Sequence, residues 1–262
     1  MKILGILNIT TDSFSDGGKY LTPEAALAHA DSLLADGADI IDIGAASSHP
    51  DAAPVSPEAE IARLAPLIPA LHDVGASLSI DSFQPQVQAF ALEQGVDYLN
   101  DIHGFAEPAL YPLLAQGRAK LIVMHAVQSD GIATRVDVAP EEIFDRILAF
   151  FDQRLAALTG AGIAPERLIL DPGMGFFLGT NPKTSLTVLE RLPELAQAFD
   201  LPLLVSVSRK SFLKALGASP EEATVAAEMF AVAQGADYIR THAPAPLRDG
   251  LMVLETMEKD RH

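Results

Sequence analysis

Short apolar runs recur along the chain, and most stop at a polar or charged side chain. Lys2 to Leu7 ends at Asn8, Ser77 to Ile80 at Asp81, Val96 to Leu99 at Asn100, and Leu121 to Met124 at His125. Leu168 to Leu170 ends at Asp171, Leu203 to Val207 at Ser208-Arg209-Lys210, and Tyr238-Ile239 at Arg240-Thr241-His242. With one more run after Asp39, the pattern predicts eight strands, near residues 2–8, 39–43, 77–81, 96–100, 120–125, 167–171, 202–207 and 236–241. Most intervals between runs hold one helix, so the strands are parallel, joined by right-handed crossovers and buried on both faces. Eight such units predict a single (β/α)8 barrel whose polar strand ends share the face where barrels bind ligands.

Helical periodicity fills the intervals. Ile61, Leu64, Leu67, Ile68 and Leu71 form one stripe, and Ile143, Ile147, Phe150, Phe151 and Leu158 another. Thr22-Pro23, Ser56-Pro57 and Ser219-Pro220-Glu221-Glu222 read as helix starts, the last as a capping box. Gly37 and Gly235 mark tight returns from helix to strand. The strand-to-helix connections after strands 1, 2, 5 and 6 are long, from Thr10 to Leu21, Gly44 to Val55, Ala126 to Ala139 and Pro172 to Thr184, and sit on the ligand face.

The 262 residues suit one barrel domain spanning 1–262. No run is long enough to cross a bilayer, and the first residues enter a strand without a secretory leader pattern, so a soluble cytoplasmic protein is expected. Cysteine is absent, which removes disulfides, thiolate nucleophiles and cysteine zinc sites. A net charge of −17, from 18 Lys and Arg against 35 acids, argues against a nucleic-acid partner. An anionic substrate would need those scarce cations gathered in one place, which singles out Arg209, Lys210, Arg240 and His242.

Asp81, Asn100 and Asp171 end three strands and offer hydrogen-bond acceptors to a donor-rich ligand such as an amino-pyrimidinone edge. Each could also cap a following helix or turn, as could Asp101. Asn8, followed by a polar loop ending in Gly17-Gly18, supplies an amide oxygen suited to Mg²⁺ shared with a substrate phosphate. Cations at the ends of strands 7 and 8 suit a phosphate. Asp171-Pro172-Gly173-Met174-Gly175-Phe176-Phe177-Leu178-Gly179 sets two rings among three glycines, a loop able to wall a flat ligand.

Together, Gly5-Ile6-Leu7-Asn8, Asp12-Ser13-Phe14-Ser15-Asp16-Gly17-Gly18, Ile80-Asp81-Ser82, Asn100-Asp101-Ile102, Met124-His125, Asp171-Pro172-Gly173, Ser208-Arg209-Lys210-Ser211 and Arg240-Thr241-His242 resemble the dihydropteroate synthases over nearly the whole chain. The resemblance implies condensation of p-aminobenzoate with a dihydropterin diphosphate in folate biosynthesis, by a cytoplasmic homodimer that uses Mg²⁺. It implies that Asp81, Asn100, Met124, Asp171 and Lys210 hold the pterin, and that Asn8, Arg240, Thr241 and His242 hold the diphosphate, with Asn8 on the metal. Phe14, Ser48, Pro50, Phe176, Phe177, Gly179 and Ser211 would surround p-aminobenzoate, and Asp81, Lys210, Arg240 and His242 would carry catalysis.

Two segments depart from the family's usual pattern. Gly44-Ala45-Ala46-Ser47-Ser48-His49-Pro50 replaces Gly-Gly-Glu-Ser-Thr-Arg-Pro, exchanging a permanent cation for His49. The loop at Phe176-Phe177-Leu178-Gly179 is longer than usual by about two residues. Both resemble sulfonamide-resistant forms. The competing readings are a pterin-binding methyltransferase barrel, which needs no anion anchor at Arg240-Thr241-His242, and a silent binding subunit, which could lose Asn8 or Lys210.

Overall fold

In the computed structural model, which describes residues 1–10, 22–128 and 131–259, all eight expected runs are strands. They are β1 Lys2–Asn8, β2 Ile40–Gly44, β3 Leu78–Asp81, β4 Tyr98–Asp101, β5 Lys120–Met124, β6 Leu168–Asp171, β7 Leu204–Val205 and β8 Tyr238–Thr241. All pair in parallel, in the order β6-β5-β4-β3-β2-β1-β8-β7. A single parallel bridge between Leu170 and Leu203 closes the ring, with Leu170 N donating to Pro202 O at 2.9 Å. β7 is much shorter than its apolar run. Pro202 has no N–H to give a ladder, and Arg209 at φ 56° turns the chain away just beyond it.

The helices are α1 Pro23–Ala35, α2 Pro57–Leu64, α3 Leu67–Asp73, α4 Pro85–Glu93, α5 Tyr111–Gln116, α6 Pro140–Gly160, α7 Pro182–Glu190, α8 Leu192–Phe199, α9 Ser211–Ala215, α10 Pro220–Ala233 and α11 Pro244–Lys259. The stripe from Ile61 to Leu71 belongs to two helices, since Pro66 lacks the N–H that would continue α2. Leu64, Leu67, Ile68 and Leu71 are nevertheless all buried, so the face is continuous across the break. Thr22 and Ser56 cap as expected, accepting from Ala25 N and Ala59 N at 3.3 Å each. Ser219 does not close a capping box. Its hydroxyl turns to the Glu222 carboxylate, because a charged acceptor binds an O–H more strongly than a neutral one.

Strand alternation separates two cores. Leu4, Ile40, Tyr98, Ile122, Ile169, Leu204 and Tyr238 point inward and plug the lower barrel. Outward residues such as Ile41, Ile80, Leu99, Val123, Leu170, Val205 and Ile239 join the helices in the main core. Above the plug the inward positions become polar, and there the site begins. No described helix is long and apolar enough to cross a membrane.

Candidate active site

A cavity of about 720 Å³ opens at the carboxyl ends of the strands. Asn8, Ser48, Pro50, Asp81, Phe176, Phe177, Lys210, Ser211, Arg240 and His242, chosen from sequence, all line it. Its deepest part reaches Asn100, Met124 and Asp171. Two expected residues stand elsewhere. Thr241 is turned outward by the alternation of β8 and is fully buried toward α10, its hydroxyl accepting from Ala243 N at 3.2 Å, so its side chain does not meet a ligand in the cavity. Gly179 closes loop 6 onto loop 5, where a Cβ would lie 3.0 Å from Val136 O. Phe14 lies outside the described residues.

Arg240 organises the floor. Its Nε donates to Asp42 Oδ2 at 2.6 Å and its Nη2 to Asp81 Oδ2 at 2.7 Å. Burial works against the guanidinium's charge, but Asp42 and Asp81 outweigh it and hold Arg240 firmly charged. Burial raises Asp81, with Arg240 opposing the rise, and pushes Asp171 up to about 6. Burial, then Arg240, draws Lys210 down to about 8, with Asp171 and Asp81 pulling the other way. The floor is thus a compact set of opposed charges whose protonation responds to whatever binds among them.

Acceptors face the deep end. Asn100 Oδ1 and Ser206 Oγ are buried without a hydrogen-bond partner among the described residues, and such atoms are costly unless another group, a ligand or water satisfies them. Asp171 is oriented by Gly173 N, which donates to its Oδ1 at 2.8 Å. Asp101, by contrast, is consumed locally, accepting from His103 N, Phe105 N and Gln88 Nε2 at 2.7, 3.0 and 2.8 Å.

The outer wall is a clasp of three loops. Phe177 packs on Ile102, Met124 and Ala133, and Lys210 Nζ lies 5.0 Å above its ring. Phe176 stands at the mouth, with His49 edge-on at 5.8 Å and the Arg135 guanidinium 5.6 Å over it. Arg135 also forks onto Asp51 at 2.8 and 2.5 Å. His49 is held below the ordinary imidazole range, first by burial. The permanent cation missing at position 49 is therefore present nearby, on loop 5. His125 Nδ1 bonds Pro172 O at 3.1 Å and Val127 N donates to Phe177 O at 2.9 Å, tying loop 6 to the end of β5.

Asp42 was missed by reading strand ends. Its signal was present: an acid in the middle of Ile40-Ile41-Asp42-Ile43 is fully buried, and buried charge requires a partner.

The comparisons agree with this geometry. Residues 4–242 match the pterin binding enzyme family. Dihydropteroate synthase type-2 from Escherichia coli is 61% identical over 98% of this chain and 96% of its own. The structure of Yersinia pestis dihydropteroate synthase with a sulfonamide drug complex superposes with a TM-score of 0.89 at 34% identity, covering 98% of this chain and 94% of that one. The Xanthomonas albilineans dihydropteroate synthase in complex with 7,8-dihydropteroate gives 0.82 at 30% identity, covering 98% and 92%. The chain belongs to the pterin binding enzyme family and, within it, to the dihydropteroate synthases.

Proposed function

We propose that this cytoplasmic enzyme condenses p-aminobenzoate with 6-hydroxymethyl-7,8-dihydropterin diphosphate, giving 7,8-dihydropteroate and diphosphate, and that it does so in the presence of sulfonamides. The observation that carries the reading is the arrangement of the cavity: buried acceptors without partners among the described residues, opposed charges around Arg240 on the floor, and an aromatic wall at the mouth. Asn100 and Asp171 receive the donors of the pterin edge, and Met124 covers one of its faces. Lys210 meets the pterin, and Asn8, Arg240 and His242 meet the diphosphate.

The chemistry breaks the methylene C–O bond and forms C–N. The departing oxygen carries its electron pair onto diphosphate, and the arylamine nitrogen later releases one proton. An arylamine is neutral at pH 7, so no strong general base is needed. Catalysis rests on cations placed where charge develops on the leaving group, with Asp81 beside the electron-deficient pterin. Asn8 fits Mg²⁺: its amide oxygen is a hard donor lying 3.1 Å from where a Gly44 Cβ would be, and no cluster of three His, Cys, Asp or Glu builds a rival cage among the described residues. When bound, Mg²⁺ would neutralise diphosphate charge. An assay for diphosphate and dihydropteroate tests the reading; dihydropteroate formed in step with diphosphate when both substrates are present is expected, and no dihydropteroate from the two substrates overturns it.

Sulfonamides fail, in this reading, at the Phe176-Phe177 wall. A carboxylate is planar, whereas a sulfonyl is tetrahedral and carries a substituent that collides with the added ring. Deleting Phe177-Leu178 is expected to restore inhibition in the same assay; unchanged inhibition refutes the wall.

The reading includes a homodimer. Phe230 on α10 and Met252, Val253 and Met257 on α11 leave 41%, 62%, 59% and 53% of their surfaces exposed on adjoining helices. Sedimentation velocity is expected to give a dimer, and a monomer after Met252→Glu with Met257→Glu. A monomeric parent would remove the dimer.

A further inference from the structure

Phe176 and Phe177 are neighbours held in different ways. Phe177 is buried against Ile102, Met124 and Ala133, so close packing fixes its ring. Phe176 rests on the edge of that cluster but is only half-buried, and a ring so placed changes rotamer readily unless groups beside it hold it. Two groups flank it, both from other loops: the His49 ring after β2 and the Arg135 guanidinium after β5. Asp51 reaches both of them. Its carboxylate takes the Arg135 fork at 2.8 and 2.5 Å, its backbone N–H donates to His49 Nδ1 at 3.2 Å, and its Oδ2 lies 3.8 Å from the same nitrogen. Two parallel bonds fix the plane of a guanidinium as well as its position. We propose that the fork between Asp51 and Arg135 pins the Phe176 ring at the mouth, which makes both residues specificity-determining for the aryl acid that enters.

The fork is not what brings the loops together. Their backbones are joined separately, by Ala133 N donating to Ser48 O at 3.0 Å and Thr180 N to Val136 O at 2.8 Å. What the fork adds is a cation held over one ring. A wall excludes a bulky ligand only as far as it refuses to yield. A loose ring yields to a substituent at the small cost of a rotamer change, whereas a ring set between an edge-on imidazole and a fixed cation has to break both contacts first. A planar carboxylate passes under the ring in either case, so loosening it favours the larger ligand more than the smaller one. Arg135 and Asp51 are 50% and 57% exposed, so the pair is screened by solvent and its effect is modest.

The pin takes its purpose from the proposed p-aminobenzoate reading and rests on it there. In the full-length enzyme, Phe176→4-fluorophenylalanine gives a ¹⁹F resonance that reports the ring's surroundings without turnover. Asp51→Ala is the decisive variant, since it keeps both flanking groups in the chain and removes what fixes them. It should move the resonance, as should Arg135→Ala, and the double variant should go no further than Arg135→Ala, because the fork is one interaction. Titrating p-aminobenzoate and sulfamethoxazole against the same resonance, over inorganic diphosphate and Mg²⁺, gives the two affinities. Discrimination between them should fall by about fivefold in each single variant. A resonance unmoved by Asp51→Ala overturns the proposal, as do additive effects in the double variant or discrimination that stays at the parent's value. If the resonance and the discrimination change as expected but no dihydropteroate is formed by the parent, the pin stands and the synthase reading fails. If dihydropteroate is formed and discrimination does not change, the pin alone fails.

Discussion

Replacing Arg240 with methionine is expected to remove activity and to destabilise the fold by about 3–5 kcal/mol at pH 8, with a smaller loss at pH 5.5. The guanidinium is the bridge between Asp42 and Asp81, and Asp42 has no solvent exposure. Without it, two carboxylates face one another in a buried layer, and breaking a buried pair from one side strands the partner's charge. Asp81, which burial already raises and Arg240 now holds down, can escape by taking a proton, so its folded-state pKa rises further above the unfolded one. A raised group keeps its contribution below the unfolded value and loses it as pH climbs through the folded one, which sets the sign of the pH dependence. Activity should fall by at least about 10²-fold at both pH values, because the leaving group loses a fixed charge. Arg240→Lys keeps the charge but not the fork, and should fall between. Urea unfolding at the two pH values, with initial rates, measures all of this. A methionine variant as stable as its parent at pH 8 would show that Arg240 does not compensate Asp42.

The second large effect runs in the stabilising direction. Glu228 on α10 has no solvent exposure, and neither carboxylate oxygen has a hydrogen-bond partner among the described residues. Burial pushes its pKa up to about 7, with the nearby Thr241 hydroxyl only partly opposing it. The folded protein therefore holds this proton more tightly than the unfolded chain. Stability from the neutral acid is complete below about pH 4.5 and is lost as pH rises through about 7. A shift of that size corresponds to about 3 kcal/mol. Glu228→Gln cannot ionise, so it should raise stability by about 2–3 kcal/mol at pH 8.5 and leave it nearly unchanged at pH 4.5. Unfolding midpoints at the two pH values test this, and an equal gain at both would mean that titration is not the cause.

The fold was legible because every strand announces itself by its apolar run and most do so a second time by the polar group that ends the run. What could not be read locally was the length of β7, where Pro202 and the left-handed turn at Arg209 cut pairing short. The continuous stripe across Pro66 likewise hid a break that packing tolerates. In the site, motif residues come together in one cavity where strand alternation turns them inward. Thr241 shows the limit of a motif, since belonging to one does not reveal which face a side chain occupies. Asp42 was overlooked because its partner Arg240 lies 198 positions away, and no short-range pattern expresses such a pairing. The link between Asp51 and Arg135, 84 positions apart, escaped for the same reason.

The wall at the mouth and the charges on the floor are built on different parts of the barrel. Loops 2, 5 and 6 hold His49, Asp51, Arg135, Phe176 and Phe177, whereas Asp42, Asp81, Asn100, Asp171 and Arg240 ride on the strands. Rigid ladders fix the second group, while the first is clasped together from loops. Selection can therefore redraw the entrance, admitting one planar acid and shutting out its bulkier mimics, while the machinery beneath it is inherited intact.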